Sequence, residues 1–137
     1  MESVHINLVA ALVAGIINMV VGAAWYSPAL FGNIWMKEIG LKKGDSMGGD
    51  NMGMAYGVTF VSAIVMGYVV ELVIRYAGAG TAMEGLKMAL WLWFGFALTL
   101  PINDVVFGKK TWKLYILNAA YWLVVLAING AMLGSWK

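Results

Sequence analysis

Four long apolar stretches, separated by short polar segments, constrain this chain more than any other feature. They cover residues 6–26, 53–76, 82–103 and 112–133, and each is close to the roughly 20 apolar residues that an α-helix needs to cross a bilayer. None alternates apolar and polar residues as a strand of a transmembrane barrel does. Because backbone N–H and C=O groups must be satisfied inside lipid, the stretches predict an all-α membrane protein with four transmembrane helices.

The composition excludes most soluble classes of protein. Of the 137 residues, 62% are apolar and 12% are charged, whereas a soluble domain has about 25% charged residues. A chain of this length has too little interior to hide so many apolar side chains from water. We therefore expect a single four-helix transmembrane domain over residues 1–137. Nine basic residues are too few to follow the phosphates of a nucleic acid, so no nucleic-acid partner is expected.

The residue types give no sign of a catalytic or metal centre. The chain has no cysteine and a single histidine, His5. It therefore lacks thiolate chemistry and nearly all the usual ligands of transition metals. No nucleophile stands in a recognisable arrangement with a base. We expect a non-enzymatic protein with no cofactor, no metal ion and no catalytic residue.

The placement of lysine predicts the orientation in the membrane. The first and third connections, with the start of the fourth span, carry Lys37, Lys42, Lys43, Lys109, Lys110 and Lys113. The opposite side carries Arg75, Lys87 and Lys137. Because positively charged loops favour the cytoplasm, we expect a multi-pass protein of the cell membrane with both termini outside. The N-terminus lacks the basic region of a signal peptide, so the first span is expected in the mature protein.

The first connection predicts a short helix at the membrane surface. Residues 30–41 carry Phe31, Ile34 and Trp35 among polar and charged residues. The pattern is modestly amphipathic, and Glu38 interrupts its apolar side. A helix lying along the cytoplasmic headgroups, directly after the first span, is the preferred interpretation.

A weak internal repeat links the two halves of the chain. A Phe-Gly pair follows both the first and the third span, at Phe31 and at Phe107, and a proline precedes each pair. A shift by two spans preserves orientation, so the repeat fits a parallel duplication of a two-helix unit. It equally fits aromatic and glycine residues that recur wherever helices leave a bilayer. Both interpretations stay open.

The same segments carry a resemblance to a known family. One block follows the first span: Trp25, Tyr26, Ser27, Pro28, Leu30, Phe31, Gly32 and Trp35. A second set lies in the other half of the chain: Phe107, Gly108, Tyr121, Gly130 and Trp136. Together they resemble the signature of domain-of-unknown-function family 1761, a family of small prokaryotic membrane proteins. The resemblance implies a four-span integral membrane protein over nearly the whole chain, and it implies no reaction, cofactor or site residue.

Polar side chains inside the spans are the first candidates for function, because they are costly in lipid. Asn7 and Asn18 are eleven residues apart, as are Asn118 and Asn129, so each pair lies on one helix face. In antiparallel first and fourth spans, Asn7 is expected level with Asn129, and Asn18 level with Asn118. This predicts two interhelical amide layers. They either hold the helices together, which we prefer, or line a path for a ligand together with Tyr121.

Four ionisable residues gather around the short second connection. Glu71 and Arg75 have the i to i+4 spacing of a helical ion pair, and Glu84 and Lys87 follow at i to i+3. Glu71 falls about one turn inside its span, where pairing or snorkelling would lower its cost. The four residues are interpreted either as a small charged mouth or, preferably, as a solvated helix end.

Small residues at four-residue spacing predict close contacts between helices. Gly53 and Gly57 open the second span, and Gly130 and Gly134 close the fourth. We therefore expect a structural or interaction protein, surrounded by membrane lipids, that forms a homo-oligomer or joins a larger membrane complex. The alternative is a minimal transporter or channel for a small solute or ion.

Overall fold

The computed structural model describes residues 6–27, 29–39, 52–108 and 110–136. All regular elements in these ranges are helical: α1 (Leu8–Trp25), α2 (Gly32–Ile39), α3 (Met52–Tyr76), α4 (Ala82–Leu92), α5 (Ile102–Val106) and α6 (Trp112–Ser135), with a π-helical turn (Trp93–Ala97) after α4. Four stretches are long and apolar enough to span a membrane, namely Leu8–Trp25, Gly53–Tyr76, Ala82–Val106 and Trp112–Ser135. The predicted fold class, an all-α membrane protein with four transmembrane helices, is confirmed.

The third span is interrupted, which differs from the continuous helix that its apolar residues predict. The π-helical turn ends α4, and α5 begins only after Pro101. Proline cannot donate a backbone hydrogen bond, and its ring clashes with a regular helix. Helix α6 supports the interruption from the side. The Trp93 indole N–H donates to the Ala119 carbonyl at 2.8 Å, and the Tyr115 hydroxyl donates to the Leu98 carbonyl.

Helices α4 and α6 pack through glycine. A Cβ atom on Gly85 would stand 2.0 Å from the carbonyl oxygen of Gly130, and one on Gly134 would stand 2.3 Å from the carbonyl oxygen of Thr81. The two backbones therefore touch where side chains are missing, as small residues at four-residue spacing allow. The predicted contact role of Gly130 and Gly134 is confirmed.

Helices α1 and α3 form a second close pair. A Cβ atom on Gly67 would stand 2.6 Å from the Ala14 Cβ, and one on Gly15 would stand 2.7 Å from the Ile64 side chain. The contact thus lies in the second half of α3. The two short helices are not equivalent by the Phe-Gly repeat, because α2 begins after Phe31 whereas α5 ends before Phe107. The duplication hypothesis stays a prediction.

The predicted short helix after the first span is present as α2, while residues 40 and 41 of its predicted range lie outside the described residues. Gly32 is required at its start, because a Cβ atom there would lie 2.4 Å from the carbonyl oxygen of Tyr26. The rings of Tyr26 and Trp35 pack with centroids 5.1 Å apart. The Thr111 hydroxyl donates to Glu38 Oε2 at 3.0 Å. These contacts attach α2 to the end of α1 and the start of α6.

Candidate functional site

A cluster of polar and aromatic side chains lies where the C-terminal half of α1 meets the N-terminal half of α6. We call the following residues the α1–α6 cluster: Asn18, Trp25, Tyr26, Asn118, Tyr121 and Trp122. Gly22 makes room for it, because a Cβ atom there would stand 3.0 Å from the Tyr121 hydroxyl oxygen. The Tyr121 ring packs against Trp25, Tyr26 and Trp122, with centroid distances of 6.3, 5.2 and 4.9 Å. Three of the five polar candidates within the spans therefore belong to one site.

Two hydrogen bonds connect the helices inside this cluster. The Tyr121 hydroxyl donates to the side-chain oxygen of Asn18, and it also lies 3.0 Å from the backbone carbonyl oxygen of Asn18. The Tyr26 hydroxyl donates to Asn118 Oδ1 at 2.6 Å. The predicted amide layer between Asn18 and Asn118 is wrong, because each amide binds a tyrosine instead.

The second predicted amide layer is wrong as well. Asn129 Nδ2 donates to the carbonyl oxygen of Ala14 at 3.3 Å, so Asn129 lies level with a residue seven positions beyond Asn7. Asn7 is the N-cap of α1, where its side-chain oxygen accepts two backbone N–H groups of the first turn. Eleven-residue spacing predicts only that two residues lie on the same face of one helix. The position of α1 along the axis of α6 also depends on packing between them, such as that of Tyr121 over Gly22.

Two N–H donors of the cluster are buried without a hydrogen-bond partner among the described residues. They are Asn18 Nδ2 and Trp25 Nε1. Trp25 and Tyr26 are not among the candidates from the sequence, because aromatic residues at the end of a span are typical of a membrane interface. Their position in the block with the family resemblance is the sequence signal that could have drawn attention to them.

A cavity of about 220 Å³ lies next to the cluster, between the interrupted third span and α6. Asn118 and Trp122 line it from α6 and connect it to the cluster, and Pro101 lines it at the interruption. Asp104 and Lys110 also line it, with Lys110 Nζ 3.8 Å from Asp104 Oδ2. The cavity therefore combines an aromatic surface, an amide and charges of both signs.

A second polar group lies near the start of α1, where α3 ends. Glu71 is completely buried, and its Oε1 accepts the Asn7 backbone N–H at 2.8 Å. The same oxygen lies 3.6 Å from the Arg75 guanidinium, so the predicted ion pair is present. Arg75 also donates to the Trp136 carbonyl at 3.0 Å. Glu71 does not snorkel to the surface, and its Oε2 has no hydrogen-bond partner in the part of the chain that the structure describes.

Glu84 and Lys87 do not join Glu71 and Arg75. Both are exposed, and Glu84 accepts the Thr81 hydroxyl at 3.0 Å at the start of α4. The Glu84 backbone N–H donates to the same hydroxyl at 3.1 Å, which completes a helix cap. The arrangement is that of a helix end. Within the described ranges, no hydrogen bond or ion pair assembles all four residues into one charged mouth.

Comparison with known proteins places the chain in a family. A family model for proteins of unknown function, DUF1761, matches residues 9–134. No curated protein and no solved structure matches the chain. The matched range includes all but the first residue of α1 and all but the last residue of α6, and with them the cluster, the cavity and Glu71. This multi-pass membrane protein, with its four apolar helices, therefore belongs to the DUF1761 family.

Proposed function

We propose that this protein is a non-enzymatic membrane protein that assembles with further copies of itself through α3. The observation that carries the proposal is the exposure of the first part of that helix. Eight of the ten residues 53–62 are exposed, whereas Ile64, Gly67 and Glu71 contact α1. The start of α3 therefore presents a helix surface on which Gly53 and Gly57 have no close neighbour among the described residues.

Two glycines on this surface support a helix rather than lipid as the neighbour. Gly53 and Gly57 would each carry a Cβ atom with no described heavy atom within 4 Å. Glycine in a helix costs about 1 kcal/mol relative to alanine, and no close contact within the described chain offsets that cost. Gly130 and Gly134 have the same spacing, and there a neighbouring helix fills the space. A helix of a second copy would use Gly53 and Gly57 in the same way.

The interior supports a role in holding helices together. Asn18, Asn118 and Asn129 each form a hydrogen bond to another helix or its end. Such bonds contribute about 0.6–2 kcal/mol each between transmembrane helices. The side chains of the α1–α6 cluster are amides, phenols and indoles, all of which are uncharged at neutral pH. This chemistry suits packing better than catalysis.

The test is self-association in lipid bilayers, measured by subunit capture in liposomes at increasing dilution. Wild-type protein is compared with Gly57→Leu and with Ser62→Leu, an exposed position about 140° further around the same helix. We expect wild-type oligomers, an association about tenfold weaker in Gly57→Leu, and no change in Ser62→Leu. Monomers at every dilution, or equal behaviour of the two variants, would contradict the proposal. If only monomers are found, the remaining interpretation is that the protein is an accessory subunit of another membrane complex.

Glu71 favours a second candidate, a minimal transporter or channel for a small solute or ion. Ionisable residues inside transmembrane segments often mark ion or proton pathways, and Glu71 is buried with one oxygen unpartnered among the described residues. The test is ion and proton flux in liposomes, comparing wild type with Glu71→Gln and with the exposed control Glu84→Gln. Flux that is lost only in Glu71→Gln would support transport, and absence of wild-type flux would count against it.

We also propose that the protein lies in the cell membrane with both termini outside. Lys37, Lys110 and Lys113 are exposed at the end of the molecule formed by α2 and the start of α6. Arg75 and Lys87 belong to the opposite end. The end that contains α2 therefore carries more positive charge, which favours the cytoplasm.

A further inference from the structure

We propose that the cavity between the interrupted third span and α6 binds a zwitterion with a primary ammonium and a phosphate group. Phosphatidylethanolamine is the membrane lipid with this chemistry, and free phosphoethanolamine is its soluble counterpart. The proposal does not depend on self-association through α3, because the cavity is lined by α6 and by the end of the third span.

Two opposite charges at the cavity indicate a ligand that has both a positive and a negative group. Lys110 and Asp104 lie 3.8 Å apart, and the side chain of each is 58% exposed. Exposed pairs of this kind attract each other weakly in water, so both charges stay available to a ligand. A ligand with a single charge would be attracted by one of these side chains and repelled by the other. A zwitterion places its ammonium against Asp104 and its phosphate against Lys110.

The interruption of the third span adds hydrogen-bonding groups. Asn118 Oδ1 already accepts the Tyr26 hydroxyl, while the Asn118 amide nitrogen makes no hydrogen bond within the described ranges. This nitrogen can donate to a phosphate oxygen. Pro101 has no N–H to donate to the carbonyl of Ala97, and both residues line the cavity. A primary ammonium has three N–H donors for this carbonyl and Asp104, whereas a quaternary ammonium has none.

Size and surroundings fit a lipid headgroup. The volume of about 220 Å³ is below the roughly 300–1,000 Å³ of pockets for drug-sized molecules. Leu100, Val106 and Ile116 are exposed apolar residues on the two elements that border the cavity, with exposed fractions of 70%, 59% and 63%. The acyl chains of a lipid can cover these side chains while the headgroup occupies the cavity.

The experiment uses the full chain in detergent and measures lipid binding by native mass spectrometry. Phosphatidylethanolamine, phosphatidylcholine and phosphatidylglycerol with identical acyl chains are compared, since the second has a quaternary ammonium and the third has none. We expect phosphatidylethanolamine to bind about tenfold more tightly than either. Free phosphoethanolamine is titrated separately with a thermal-shift readout. Binding of this solute without any lipid preference would assign the site to a free zwitterion of the same chemistry.

Variants test whether the named charges carry the binding. Asp104→Asn is expected to remove the preference for phosphatidylethanolamine over phosphatidylglycerol, and Lys110→Gln to weaken binding of both about tenfold. Glu84→Gln and Lys87→Gln, exposed charges on α4, are the matched controls, and circular dichroism verifies folding of all four. The proposal is overturned if neither the lipid nor the solute binds selectively. It is also overturned if the cavity variants behave like the controls.

Discussion

At the scale of single residues, Glu71 joins three helices. It belongs to α3, it accepts the Asn7 N–H at the start of α1, and its partner Arg75 reaches the Trp136 carbonyl after α6. The N-terminus of a helix carries partial positive charge. The buried carboxylate is therefore stabilised both by the end of α1 and by Arg75, which explains how the chain keeps an ionisable group away from water.

Replacing Glu71 tests this connection. Glu71→Leu would leave the Asn7 N–H without its acceptor and Arg75 without its carboxylate, so we expect a free energy of unfolding lower by about 1–3 kcal/mol. Glu71→Gln keeps an acceptor oxygen and should lose less. Denaturant titration in detergent micelles measures both, with the exposed Glu84→Gln as control. Equal stability of Glu71→Leu and wild type would show that the connection contributes nothing.

The Tyr121–Asn18 hydrogen bond is the second residue-scale prediction. Tyr121→Phe and Asn18→Leu should each lower the free energy of unfolding by about 0.6–2 kcal/mol. The double variant should lose less than the sum of the two, by at least about 0.5 kcal/mol, because both changes remove the same bond. Tyr76→Phe, at a tyrosine that is 48% exposed at the end of α3, is the control. Additive losses in the double-mutant cycle would rule out direct coupling.

At the scale of elements, the close approach of α4 and α6 depends on missing side chains, and Gly85 is the tightest of these positions. The Cβ atom of an alanine at position 85 would overlap the carbonyl oxygen of Gly130 at 2.0 Å. Because that oxygen belongs to the backbone, the helices must separate to admit the methyl group. Gly53 and Gly57 in α3 provide the comparison, because an added Cβ atom at either position meets no described heavy atom within 4 Å.

Gly85→Ala should therefore lower the free energy of unfolding by about 1–3 kcal/mol, as overpacking of a tight contact does. In protein diluted until it is monomeric, Gly57→Ala should leave the free energy of unfolding unchanged or raise it by up to about 1 kcal/mol, because alanine favours the helix. Thermal and denaturant unfolding in the same micelle compare the two. If both substitutions have the same effect, the close approach of α4 and α6 does not limit stability.

At the scale of the whole molecule, the two ends differ in chemistry. One end contains the α1–α6 cluster, the cavity and α2, and the other contains Glu71, Arg75 and the start of α4. A protein with such distinct ends needs a defined orientation, and the lysine distribution is the sequence feature that would impose it.

The absence of native cysteine makes the orientation directly measurable. Single cysteines are introduced as Gly80→Cys, between α3 and α4, and as Ser46→Cys, in the first connection. Gly80 is exposed, and an added Cβ there meets no described atom within 4 Å. A membrane-impermeant maleimide added to intact cells should label position 80 and spare position 46. The reverse pattern would place the termini in the cytoplasm.

The number of spans and nearly all of their bounds could be predicted from the residues alone, because the requirement for about 20 apolar residues with an internally satisfied backbone is local. The short helix α2 and the Glu71–Arg75 ion pair could also be predicted, because each depends on residues that are close together in the sequence. The contacts of Asn18 with Tyr121 and of Asn129 with Ala14, and the cavity beside α6, could not be predicted in this way, because they depend on how the helices pack. Spacing along one helix defines a face, whereas the relative height of two helices depends on how their side chains pack.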